Sequence, residues 1–112
     1  MEPLSRADFS ELVADALDLI PDELAGVLDN VVVKIRDRSL DEPDLLGLYE
    51  GVPHTERTGA EGPDVVTLYR LALCEICDGL DDLRHEVAVT VLHEVAHVAG
   101  IDDDRLDELG YA

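Results

Sequence analysis

Positive charge is what this 112-residue chain has least of: eight Lys and Arg stand against 27 Asp and Glu, a net charge of −19 at pH 7. A surface of that sign repels phosphate backbones and anionic membranes, which argues against nucleic acid or a membrane as partner. It attracts metal cations and peptides bearing Lys or Arg, although most of the carboxylates read as solvated surface. Long apolar runs are missing as well, since no stretch approaches the roughly 18–20 residues that a membrane span requires. The opening "MEPLSRADFSELVADALDLIPDEL" lacks the basic start and apolar run of a secretory signal, so a cytoplasmic protein is expected. Cysteine is nearly absent. Cys74 and Cys77 form a single C-x-x-C, whereas a zinc site of that type needs a second pair. A redox motif would open a helix after a strand, usually with Gly or Pro between the thiols. Here Glu75 and Ile76 intervene within an amphipathic helical pattern, and the two cysteines read as reduced core thiols.

Apolar residues, at 46%, suffice for a folded core, and the length is that of one domain spanning residues 1–112. Residues 4–19 carry Phe9, Leu12, Val13, Ala16 and Leu17 at helical spacing, with Ser5 or Asp8 as N-cap. Pro21 can open a second short helix. "NVVVKIRD" is short and β-branched, which predicts a strand; "DEPD" turns the chain; "LLGLYEG" predicts a second strand. A long Gly- and Pro-rich loop containing His54 follows. "VVTLYRLAL" begins as a third strand and passes into the cysteine helix, which Gly79 is expected to end. Residues 81–99 read as the longest helix, and a short capped helix closes the chain.

The segment "EVAVTVLHEVAHVAG" holds the chemistry. In a strand, His93 and His97 would lie roughly 13 Å apart, at about 3.3 Å per residue. In a helix their Cβ atoms come within about 5–6 Å, near enough to share one ion. At about 100° per residue, Glu86, Thr90, His93 and His97 fall in one narrow sector with Glu94 at its edge. Val87, Ala88, Val91, Leu92, Val95 and Ala96 occupy most of the remaining circumference. A helix apolar nearly all round is buried, so the stripe is a set of polar groups that need partners. A metal satisfies both imidazoles at once.

H-E-x-x-H on a helix sets two neutral imidazoles on one side of Zn²⁺, with the intervening Glu beside the open coordination position. That Glu, here Glu94, is not a ligand but the general base that activates water. Shuffling this composition would yield the motif in about 1 chain in 100. A third ligand must follow. Gly100 can stop the helix in a left-handed C′ conformation and swing the chain back, which makes Asp103 the next candidate, flanked by Asp102 and Asp104. Arg105 reads either as a partner for these aspartates or as a helix-end salt bridge, Tyr111 as an oxyanion contact or a packing aromatic, and His85 as a surface residue.

The closing "TVLHEVAHVAGIDDDRLDELGY", with "LLGLYEGVPHTER" and "VVTLYR" upstream, resembles the small bacterial zincin-like metallopeptidases over roughly the whole chain. The resemblance implies an α+β minimal zincin fold, a small mixed sheet of about three strands packed against the active-site helix and the N-terminal helices. It implies His93, His97 and Asp103 as zinc ligands and Glu94 as general base of a peptide hydrolase. Metzincins share the spacing but carry a methionine turn after the third ligand, and the only methionine here is Met1. The expected partner is a peptide or protein substrate that pairs with an exposed strand edge, for which "VVTLYR" is the candidate. Two other readings share the motif. One is a non-catalytic zinc-binding or interaction module. The other is a metal-dependent RNA endonuclease, which has a similar histidine spacing but is disfavoured by Glu94 and the net charge.

Overall fold

The computed structural model describes residues 1–51, 63–99 and 101–111, apart from the side chains at positions 27 and 97–99. His54 and Gly100 therefore lie outside the described residues, as does the side chain of His97.

Helix α1 (Arg6–Asp18) starts where the Ser5 hydroxyl accepts the Asp8 N–H at 3.1 Å, and it buries Phe9, Leu12, Val13 and Ala16. Pro21 precedes a short α2 (Asp22–Ala25), which runs on into a 3₁₀ turn. Strands β1 (Val31–Arg36), β2 (Gly47–Glu50) and β3 (Asp64–Tyr69) follow, then α3 (Arg70–Ile76), α4 (Leu80–Ala99) and α5 (Asp103–Glu108). The sheet order is β1-β3-β2, with β1 parallel and β2 antiparallel to β3. This is the mixed α+β architecture expected.

Helix α4 organises the core. Leu83, Val87, Val91 and Val95 recur at helical spacing and pack with Phe9, Leu12, Val66 and Leu68. Its adjoining face, Ala88, Leu92 and Ala96, packs with Ile20, Leu24 and Leu106. Each fully buried Val or Leu contributes about 1.5–3 kcal/mol relative to exposure, so these two faces fix the rotation of α4 about its axis. What remains for the polar stripe is the side toward β2.

Two sequence expectations are corrected. "VVTLYR" is not an edge, because β3 lies between the other two strands and Val66, Thr67, Leu68 and Tyr69 are all buried. The exposed edges belong to β1 and β2. Gly79 does not end the cysteine helix either. That helix stops at Ile76, Cys77 turns extended and becomes buried, and the Gly79 carbonyl accepts from Leu83 N–H at 2.9 Å as the first turn of α4. Both cysteines are free and buried, as read from the sequence.

Candidate active site

The site lies where β2 crosses α4. Gly47 permits the close approach, since a Cβ there would fall 2.6 Å from Thr90 Cγ2 and 3.3 Å from the Thr67 carbonyl. The Leu46 carbonyl accepts from Tyr69 N–H across the ladder, so by antiparallel alternation the backbone groups of Gly47 and Tyr49 face away from β3. Tyr49 N–H donates to Glu94 Oε2 at 3.2 Å. Glu94 is partly buried and its carboxylate is tied to the outer edge of the sheet.

His93 is one residue earlier in α4, with its side chain 38% exposed, and its Nδ1 stands 3.8 Å from Asp103 Oδ1. Two turns of chain produce that approach. Ile101 N–H donates to the Ala96 carbonyl at 2.9 Å, a six-to-one bond that ends α4. The Asp102 side chain then caps α5 by accepting Arg105 N–H at 2.8 Å. With Asp102 committed to the cap, Asp103 becomes the first residue of α5 and turns toward His93, while Asp104 makes no such approach to His93 among the described residues.

His97 follows His93 by one turn within α4. Among the described residues no group of three His, Cys, Asp or Glu is placed to hold a metal, and of the three expected donors only His93 and Asp103 have described side chains. Those two fit the group. Ligands on one tetrahedral zinc, at about 2.0–2.1 Å each, lie roughly 3.4 Å from one another, close to the 3.8 Å between Nδ1 and Oδ1.

A cavity of about 370 Å³ adjoins the pair, lined by His93, Glu94, Thr90, Glu86 and Val89 from α4 and by residues 44–47. The described members of the expected polar stripe, Glu86, Thr90 and His93, therefore do face a cleft, with Glu94 beside them. The contribution of Asp44 was not legible, for "DEPD" reads only as a turn, and Leu45 and Leu46 were expected within the second strand. Arg105 turns to Glu23 and Glu108, not to the aspartate side chains, which is the salt-bridge alternative. Tyr111 stacks on His85 with ring centroids 6.1 Å apart and packs with the second core cluster, remote from the Glu94 carboxylate.

A model of the zincin-like metallopeptidases matches residues 28–111. The chain belongs to this family. Among solved structures, this zincin-like protein is similar to a conserved hypothetical protein from Thermus thermophilus, at 25% identity and a TM-score of 0.57, over 86% of this chain and 94% of that one. Comparison with curated proteins finds no match. Among the described residues, no helix of the zincin-like chain is long and apolar enough to cross a membrane.

Proposed function

We propose that this zincin-like protein is a zinc-dependent peptidase in which His93, His97 and Asp103 hold the metal and Glu94 is the general base. The observation that carries the reading is the 3.8 Å approach of His93 Nδ1 to Asp103 Oδ1, next in sequence to a carboxylate fixed by Tyr49 N–H. Zinc held there would supply a Lewis acid able to polarise a peptide carbonyl and lower the pKa of water.

The remaining work falls to the chain. The outer edge of β2 receives an extended peptide by strand pairing through the outward backbone groups that remain, the Tyr49 N–H being held by Glu94. Glu94 accepts a proton from the attacking water and passes it to the departing amine. The Tyr49 N–H holds the Glu94 carboxylate in place at 3.2 Å, which positions it for that proton transfer. Three protein residues would hold the zinc, the number typical of catalytic sites, whereas structural sites typically use four.

Zinc titration and digestion of a peptide library, run on wild type and four variants, test the reading. Wild type should bind one zinc per chain, and His93→Ala, His97→Ala and Asp103→Ala should each lose it. Glu94→Gln should keep zinc and lose cleavage. Zinc bound by a wild type that cleaves no peptide would instead identify a binding module, and a wild type that binds no zinc would overturn the reading entirely.

A further inference from the structure

We infer that the cavity beside His93 and Glu94 is the specificity pocket of the peptidase proposed above, and that it receives a Lys or Arg side chain of the substrate; this rests on that proposal. The net charge alone predicts only a general attraction to basic peptides. The cavity assigns that attraction to a place.

Its walls are of two kinds. Leu45, Leu46 and Val89 supply aliphatic surface, while Asp44 and Glu86 supply carboxylates. Glu86 precedes His93 by seven residues, so its backbone lies about 10 Å along the α4 axis from the reacting end. The pocket thus leads from the expected metal site past apolar side chains to negative charge. A Lys or Arg side chain has the matching profile, an apolar stem and a cationic tip.

Glu86 lacks the cation that such a setting calls for. Glu86 is partly buried and makes no hydrogen bond or ion pair with any described residue. No described Lys or Arg lines the cavity. Arg38 lies within the electrostatic reach of Asp44, but its guanidinium is engaged by Glu75. Thr90, only 8% exposed, also lines the cavity without a hydrogen-bond partner among the described residues. Asp44 is exposed, but Glu86 is partly buried beside apolar walls, and such a carboxylate favours an incoming cation more than a fully solvated one does. An acidic or purely aliphatic side chain would leave the charges uncompensated.

The test uses paired fluorescent peptides identical except for lysine, norleucine or glutamate at one position. Anisotropy measures their binding to zinc-loaded Glu94→Gln protein, and cleavage by wild type is followed in parallel. Lysine should be preferred over norleucine by about 5-fold, the size of a partly screened ion pair. That ratio should shrink when Glu86→Gln or Asp44→Asn is added, and it should fall with rising salt. Equal affinities for lysine and norleucine, or a ratio that neither substitution moves, would overturn the pocket. Preferential binding of lysine with no peptide cleaved by wild type would overturn the peptidase and leave the pocket standing. Cleavage of all peptides without preference would do the reverse.

Discussion

The backbone N–H of Tyr49 donates to Glu94 Oε2 at 3.2 Å, tying the outer edge of β2 to the C-terminal half of α4. An edge strand has no neighbour for its outward N–H groups, so this amide would exchange freely with water unless another group covered it. A charge-assisted bond of this kind is worth about 1.5–3 kcal/mol. Glu94→Ala should therefore speed hydrogen exchange of the Tyr49 amide on the order of 10-fold or more, with the β3 amides of Val66 and Leu68 as internal controls. Amide exchange followed by NMR makes the measurement. A Tyr49 rate unchanged by the substitution would show that Glu94 and the edge strand are not coupled.

The three consecutive aspartates should separate by function. Asp102 caps α5 through Arg105 N–H, and losing such a cap costs about 1 kcal/mol. Asp102→Ala should lower the thermal midpoint of the zinc-free protein. Asp103 is 68% exposed and faces His93, so Asp103→Ala should leave that midpoint nearly in place and weaken zinc binding. Asp104→Ala should do neither. Calorimetry of the three variants with and without zinc distinguishes them, and zinc lost in Asp104→Ala instead of Asp103→Ala would contradict the assignment.

Cys77 gives the fold an alkaline weakness. Burial pushes its thiol up to about 12 from an ordinary 9.0, helped by the carboxylates of Asp82 and Glu86. Above the ordinary value the unfolded chain releases a proton that the native chain retains. Stability therefore falls as pH rises from about 9 toward 12, and this group has no effect at neutral pH. Cys77→Ala should start lower at pH 7, by about 1 kcal/mol for the lost packing, yet lose less between pH 9 and pH 11. Urea midpoints across that range test the difference in slope.

The sequence was most legible where a local rule decides the outcome. Ser5 lies one residue before α1, and its hydroxyl does cap the helix. The valines and alanines of α4 recur with the helix, so its polar stripe could be placed before any neighbour was known. Sheet order is a tertiary property, and the reading of β3 as an edge failed for that reason. β1 alternates between partly buried and exposed residues, as a strand with one open face does, while residues 66–69 of β3 are buried without a break. Which aspartate faces His93 depended on where α5 begins, and three identical neighbours leave that open in sequence. Asp44 enters the cavity only because the chain before β2 packs beside α4, which no local pattern records.

The contact between Gly47 and Thr90 offers the sharpest test of how β2 is seated. An alanine at position 47 would place its methyl group 2.6 Å from Thr90 Cγ2, inside any normal contact distance. Thr90 is buried on the rigid face of a long helix, so the strand must move or the helix must give. Overpacking of this kind costs about 1–3 kcal/mol. Gly47→Ala should be destabilised by that amount in urea unfolding and should weaken peptide cleavage, because the displaced strand carries the Tyr49 amide away from Glu94. Thr90→Ser removes the clashing methyl and keeps the hydroxyl. The double variant should therefore regain much of the stability lost by Gly47→Ala, a coupling of about 1 kcal/mol or more between neighbours. Additive losses in the double variant would mean that the 3.3 Å contact with the Thr67 carbonyl, not Thr90, sets the distance between β2 and α4.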